Sequence, residues 1–213
     1  MKKIIVLIAA IILIANYVSA QAFRGESRHL FQLGVKAGLN ISNVYDAQGE
    51  NFVADPKIGF TTGGFVDIHI WRMFGIQPGI IFSQKGYRSS GIFIDSPYKF
   101  TRTSNYIDMP LVATFKPISL VTLIAGPQLS FLISQNDSFT SGNLTIDQEQ
   151  QFKDNNVRRG VLCILGGFDI NLDPIVLGAR AGFDIQNNNG DGTSTNPRYK
   201  NVWYQATIGF RFF

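Results

Sequence analysis

Apolar and polar residues alternate one by one through the last twelve residues of the chain. Val202, Tyr204, Ala206, Ile208, Phe210 and Phe212 share one parity; Asn201, Trp203, Gln205, Thr207, Gly209 and Arg211 share the other. A period of two puts one set on each face of a β-strand. The same pattern predicts seven strands upstream, at residues 31–42, 57–70, 74–85, 106–115, 120–133, 159–170 and 175–186. The first alternates from Phe31 through Val35 to Ile41, against Lys36 and Asn40. In the second, Ile58, Phe60, Val66 and Ile68 oppose Gly63, Asp67 and His69. Pro78 interrupts the third, and because proline cannot donate to a ladder a bulge or local break is expected there. Ile107, Met109, Leu111, Ala113 and Phe115 form the apolar face of the fourth. Ile124 and Leu132 blur the fifth, and residues 161–165 are apolar on both faces of the sixth, where Gly167, Asp169 and Asn171 make the odd positions the polar ones. In the seventh, Leu177, Ala179 and Phe183 oppose Gly178, Arg180 and Asp184.

The connections between these strands alternate long and short. Polar segments at 43–56, 86–105, 134–158 and 187–200 separate tight turns at 71–73, 116–119 and 172–174, the second segment expected in part as a hairpin extending beyond the membrane. Aromatics sort by depth on the apolar faces: Phe60, Phe82, Phe131, Phe183 and Tyr204 lie near the long connections, and Phe31, Phe74, Phe115, Phe168 and Phe212 near the short ones. Two aromatic girdles suit a wall with lipid between two interfaces, whereas the core of a soluble sandwich has no reason to keep aromatics from mid-strand. The pattern therefore predicts an all-β fold, an eight-stranded antiparallel transmembrane β-barrel of the up-and-down kind. Its long connections are expected outside the cell, and its termini, for an even strand count, in the periplasm.

The start of the chain fits export. Lys2 and Lys3, the apolar run 4–15 and Val18-Ser19-Ala20 make a secretory signal peptide of residues 1–20, leaving 21–213 as one barrel domain. The run is shorter than the roughly 20 residues a spanning helix needs. Loss of Lys2 and Lys3 from 19 basic residues leaves 17 against 15 acidic ones, a charge of +2. So mild a balance, without a basic cluster, excludes a nucleic-acid partner. Cys163, the sole cysteine, forms no intrachain disulfide and suits a small buried position. Two histidines, His29 and His69, fall away from the long connections and have no acid or nucleophile at recognisable spacing, so neither catalysis nor a metal or other cofactor is expected. The Asn/Gly run at 187–192 lacks the downstream glutamate of a calcium loop.

Charged residues instead gather on the inward parity. Lys36, Lys85, Arg180 and Arg211 face Asp67, Asp108, Asp169 and Asp184, four cations against four anions. An eight-stranded barrel is filled by side chains, and buried charges must be paired or hydrogen-bonded, so these eight are expected to form a structural lumenal network rather than an ion path.

Several short motifs, in order, resemble one family. They are Leu33-Gly34-Val35-Lys36-Ala37-Gly38-Leu39-Asn40, Gly79-Ile80-Ile81-Phe82-Ser83-Gln84-Lys85-Gly86, Tyr106-Ile107-Asp108-Met109-Pro110-Leu111, Gly126-Pro127 and Ile208-Gly209-Phe210-Arg211-Phe212. Together they resemble the small outer-membrane β-barrels of Bacteroidetes, the porin-family or PorT-like proteins. The resemblance implies insertion in outer-membrane lipid by the barrel-assembly machinery, with Phe210, Phe212 and Phe213 as the assembly signal. Such proteins commonly end at the aromatic matching Phe212, so Phe213 is a departure. The function expected is non-enzymatic, exerted through extracellular loops on a protein or glycan ligand: adhesion, envelope integrity or an accessory role in secretion. A narrow pore for ions or small solutes is the alternative.

Overall fold

Every regular element among the described residues of the computed structural model is a strand. These residues are 30–46, 54–93, 96–141, 144–149, 158–187 and 199–212; the expected signal peptide, His29 and Phe213 lie outside them. The strands are β1 (Phe31–Asp46), β2 (Asp55–His69), β3 (Phe74–Phe93), β4 (Ser96–Ile118), β5 (Val121–Ser141), β6 (Leu144–Glu149), β7 (Gly160–Leu172), β8 (Ile175–Asp184) and β9 (Tyr199–Arg211). Each is antiparallel to its neighbours, and the pairing of β4 with β5 joins two flanks of the sheet. The ring β1-β2-β3-β4-β5-β7-β8-β9 then closes through β9 on β1, with Gly34 opposite Arg211 and Asp46 opposite Tyr199. Eight antiparallel strands form the barrel, and β6 stands outside it, paired only to β5.

Facing follows parity. Along β9, Trp203, Gln205, Thr207 and Arg211 are buried, while Tyr204, Ile208 and Phe210 are exposed. The exposed positions of the wall are apolar apart from Thr62, as a surface against hydrocarbon requires. Phe60 stacks on Phe82 at 5.2 Å in one girdle, and Phe74 meets Phe115 at 4.9 Å in the other. Ile124 and Leu132, which blur the alternation of β5, point inward with Val112, Leu165 and Trp203. The interior is therefore partly apolar. In β7 the odd positions Val161, Cys163, Leu165 and Asp169 are the buried ones.

At Pro78 the expected bulge or local break is a local break. The register of β3 on β4 is the same at Pro78↔Leu111 and at Ile81↔Asp108, so the strand carries no bulge. Two positions between them drop out of the ladder, and there Gly79 lies against the Pro110 ring. Two prolines facing the same short gap withhold their donors from one place, which costs a break and no register slip.

In the long connections, residues 86–93 and 96–105 continue β3 and β4 as the expected hairpin, over nearly the whole segment, and the correction is that β5 runs on to Ser141. Residues 86–93 add roughly 26 Å to β3 at about 3.3 Å per residue. The hairpin leaves the wall where the β2–β3 register shifts, between Pro56 and Thr61. Gly86 takes φ +153 there, and a Cβ would strike the Arg102 carbonyl. Into the same place β1 sends Ser42, whose hydroxyl accepts from Gly86 N at 2.8 Å and donates to Gly86 O at 3.0 Å.

Candidate functional site

All eight charged residues of the inward parity are buried: Lys36, Asp67, Lys85, Asp108, Asp169, Arg180, Asp184 and Arg211. Alternation puts them inside, but ladder register decides which meet. Toward the end with the short turns, Arg211 Nε donates to Asp67 Oδ2 at 2.8 Å, and Gln77 Nε2 donates to Asp67 Oδ1 at 2.6 Å. Arg180 Nη2 reaches Gln77 Oε1 at 3.0 Å and Asp169 Oδ2 at 3.3 Å. This first network carries two cations and two anions.

The second network lies nearer the long connections. Lys85 Nζ donates to Asp108 Oδ1 and to Ser130 Oγ, both at 3.2 Å, and sits over the rings of Tyr106 and Trp203 at 4.8 and 5.1 Å. Ser83 Oγ donates to Asp108 Oδ2 at 2.5 Å. Asp184 accepts from Asn201 Nδ2 at 2.6 Å, Asn201 N at 3.1 Å and Cys163 Sγ at 3.1 Å. Cys163 thus bridges Asp184 to Ser130, 3.3 Å away, and is more than a small apolar filler.

The fold makes three of the four anticipated ion pairs. Lys36 and Asp184 remain apart: Asp184 is held by neutral donors, while Lys36 Nζ lies 5.2 Å from the Phe65 centroid with no hydrogen-bond partner among the described residues. A buried ammonium without a partner is costly, and the aromatic face offsets part of that cost.

Beyond the apolar band, the inward faces of the extended strands build a cluster that the sequence pattern did not anticipate. Arg102 forks onto Asp137, with Nε to Oδ1 at 2.7 Å and Nη2 to Oδ2 at 2.6 Å, and its Nη1 donates to the Tyr199 hydroxyl at 2.7 Å. Phe100, Tyr199 and Tyr87 hold ring centroids 5.5, 5.8 and 5.9 Å from the guanidinium carbon. The only sequence signal was Arg102 and Phe100 sharing a parity with Ser104 and Tyr106, inside a segment whose opposite parity is polar as well.

Two of these bonds run straight across the barrel. In the ring, β4 and β9 are four strands apart by either route, as are β3 and β8. Arg102–Tyr199 therefore spans the mouth, and Arg180–Gln77 spans the interior. Between these levels lie Trp203, Val112, Ile124 and Leu165, a buried apolar cluster. The Trp203 ring fills the space above Gly182, where a Cβ would strike it.

His69 closes β2 at the turn end and faces neither Ser nor Cys; its recess is lined by Asp67, Arg72, Thr114, Lys116, Thr122 and Arg211. Among the described residues, no group of three or more His, Cys, Asp or Glu side chains is arranged to hold a metal ion.

Comparison with curated protein sequences finds no match. Among solved structures the chain is similar to Ail, the attachment invasion locus protein of Yersinia pestis, with 14% identity over 85% of this chain and 98% of that one, at a TM-score of 0.45. It is similar to Neisserial surface protein A, with 15% identity over 84% and 97% and a TM-score of 0.42. The outer membrane protein OprG from Pseudomonas aeruginosa gives 9% identity over 85% and 95%, with a TM-score of 0.36. Residues 19–211 match the family described as the outer membrane protein beta-barrel domain. A match over nearly the whole chain agrees with the closed ring, the apolar wall and the filled interior, and the chain belongs to the outer membrane protein β-barrel domain family.

Proposed function

We propose that this protein is a non-enzymatic outer-membrane barrel, closed to solutes, that acts through the surface at its loop end. The observation that carries this reading is the pair of bonds across the barrel, Arg102–Tyr199 at 2.7 Å and Arg180–Gln77 at 3.0 Å, with Trp203 between them. A solute would have to break both. The eight lumenal charges serve as a structural brace in this reading, and catalysis has no place in it, since the one described histidine faces neither Ser nor Cys.

The loop-end surface is built for contact. Outside the ring, β3, β4, β5 and β6 form a four-stranded sheet, anchored at its base by the Arg102 cluster. Polar segments raised on a rigid scaffold are where recognition usually resides. The loop end is assigned to the cell exterior and both termini to the periplasm, as the long and short connections favour. Its ligand is a protein or a glycan, and the role is adhesion, envelope integrity or, following the PorT-like motifs, an accessory part in secretion. Insertion is assigned to the barrel-assembly machinery, reading Phe210, Phe212 and Phe213.

Planar-bilayer recording tests this directly. The intact protein, and a variant with residues 134–158 replaced by a tight turn, are both expected to be silent, and the variant is expected to lose surface binding. Stable, ion-selective steps from the intact protein, unchanged by the deletion, would overturn the reading in favour of a narrow pore.

A further inference from the structure

At the turn end, three elements bring cationic side chains to one recess. Lys116 N donates to Met73 O at 2.7 Å, which clamps the β2–β3 turn against the end of β4, and Arg72 and Lys116 both line the recess. His69, from β2, and Arg211, from β9, complete the lining with Thr114 and Thr122. Two carboxylates act on this group. Asp67 is already engaged by Arg211 and Gln77, and Asp173, on the β7–β8 turn, acts on Lys116 from outside the recess. Arg72 and Lys116 form no ion pair among the described residues, and His69 Nδ1 is buried without a hydrogen-bond partner. The recess therefore gathers unpartnered donors and a net positive charge.

We propose that this recess binds a phosphate group. Its volume is about 20 Å³, room for one or two oxygen-sized atoms at roughly 10–15 Å³ each. The two free oxygens of a phosphodiester fit that space. An Arg and a Lys side by side supply the fork and the point charge that phosphate recognition uses. Exposed Arg72 and Met73 and the Phe74 side of the Phe74–Phe115 pair line the recess, which brings it to the aromatic rim near the 78%-exposed Trp71. That is headgroup depth. An acidic glycerophospholipid of the inner leaflet can lay its chains on this wall with its phosphate between Arg72 and Lys116. Free inorganic phosphate offers the same oxygens. The leaflet rests on the orientation proposed above; the binding chemistry does not.

The test uses the full barrel in a phosphate-free maltoside detergent. Titration with phosphatidylglycerol, followed by native mass spectrometry, is expected to show one retained lipid per barrel. R72Q/K116Q should cut retention at least fivefold, R72K/K116R should restore it, and K99Q at the loop end should leave it unchanged. A heat-modifiability gel on each variant separates lost binding from lost folding. Equal retention by wild type and R72Q/K116Q, with no movement of the His69 side-chain resonances on adding inorganic phosphate, would overturn the site. Movement of those resonances without selective lipid retention would keep the phosphate site and sink the lipid source. Labelling of W71C on intact cells by a membrane-impermeant maleimide would overturn the orientation alone.

Discussion

At the scale of single residues, the interior separates lysines that look alike in the sequence. Lys85 is 1% exposed and bonded to Asp108 and Ser130, while Lys36 is 6% exposed with an unpartnered amine. Removing one member of a buried pair strands the other, at a cost of about 3–5 kcal/mol. Lys85→Met is expected to lose that much in urea unfolding from lipid vesicles, because Asp108 stays behind in a dry site. Lys36→Met strands no carboxylate and removes an unsatisfied donor, so its midpoint should hold or rise. Equal losses for the two would show that Lys36 has a partner the observed contacts lack. Cys163 belongs at this scale too, since it is the weak donor that completes the shell of Asp184.

Strands make the face of each residue a matter of one position. Leu177 is exposed on the wall of β8, whereas at Gly178 a Cβ would meet Thr207 Oγ1 at 2.6 Å and Asp169 Oδ1 at 2.7 Å. Arginine at Leu177 is expected to cost about 2–4 kcal/mol, the range for a charge facing mid-bilayer lipid. Arginine at Gly178 clashes with the lumenal network instead, and spin labels at 177 and 178 should differ in lipid exposure. The closing strand carries a further expectation. β9 pairs with both β8 and β1, and Phe210 and Phe212 face outward with ring centroids 5.3 Å apart. Aspartate at both positions is expected to leave protease-sensitive protein in the periplasm. Normal outer-membrane levels of that variant would refute the role given to the closing strand.

For the whole molecule, the ring and the projecting sheet are separable in kind. Shortening 134–158 removes β6 and the β5 half of the projecting sheet, Asp137 included, but leaves the pairings of residues 121–133 with β4 and β7, so the barrel stays closed. Heat-modifiability of that variant should match wild type. Closure, in turn, has more than one level. Arg102→Ala frees the mouth of its bonds to Asp137 and Tyr199 but leaves Trp203 and the Arg180–Gln77 bond in place. It is expected to remain non-conducting in a planar bilayer. Conductance from Arg102→Ala alone would place the whole seal at the mouth.

Legible in the sequence were the strands inside the lipid, their facing and the inward set of charges. Hydrocarbon tolerates only apolar side chains on one parity, so the membrane imprints its boundary on the order of residues. Lys36, Asp67 and Arg180 could be placed inward from alternation alone. Their partners could not, because a pair such as Arg180 and Gln77 lies 103 residues apart and depends on the registers of all the strands between. For the same reason four cations and four anions became three ion pairs, with Lys36 and Asp184 apart. The hairpin of β3 and β4 past the membrane was legible only in part, and the extension of β5 not at all, for a different cause. Past the lipid most of both faces is polar, period two fades, and only the ladder between neighbouring strands holds residues 86–105 in β-structure. The Arg102 cluster on those extensions, and the gathering of Arg72 and Lys116 around one recess at the other end, followed from tertiary pairing alone: each brings together side chains from separate strands or turns that no spacing along the chain relates.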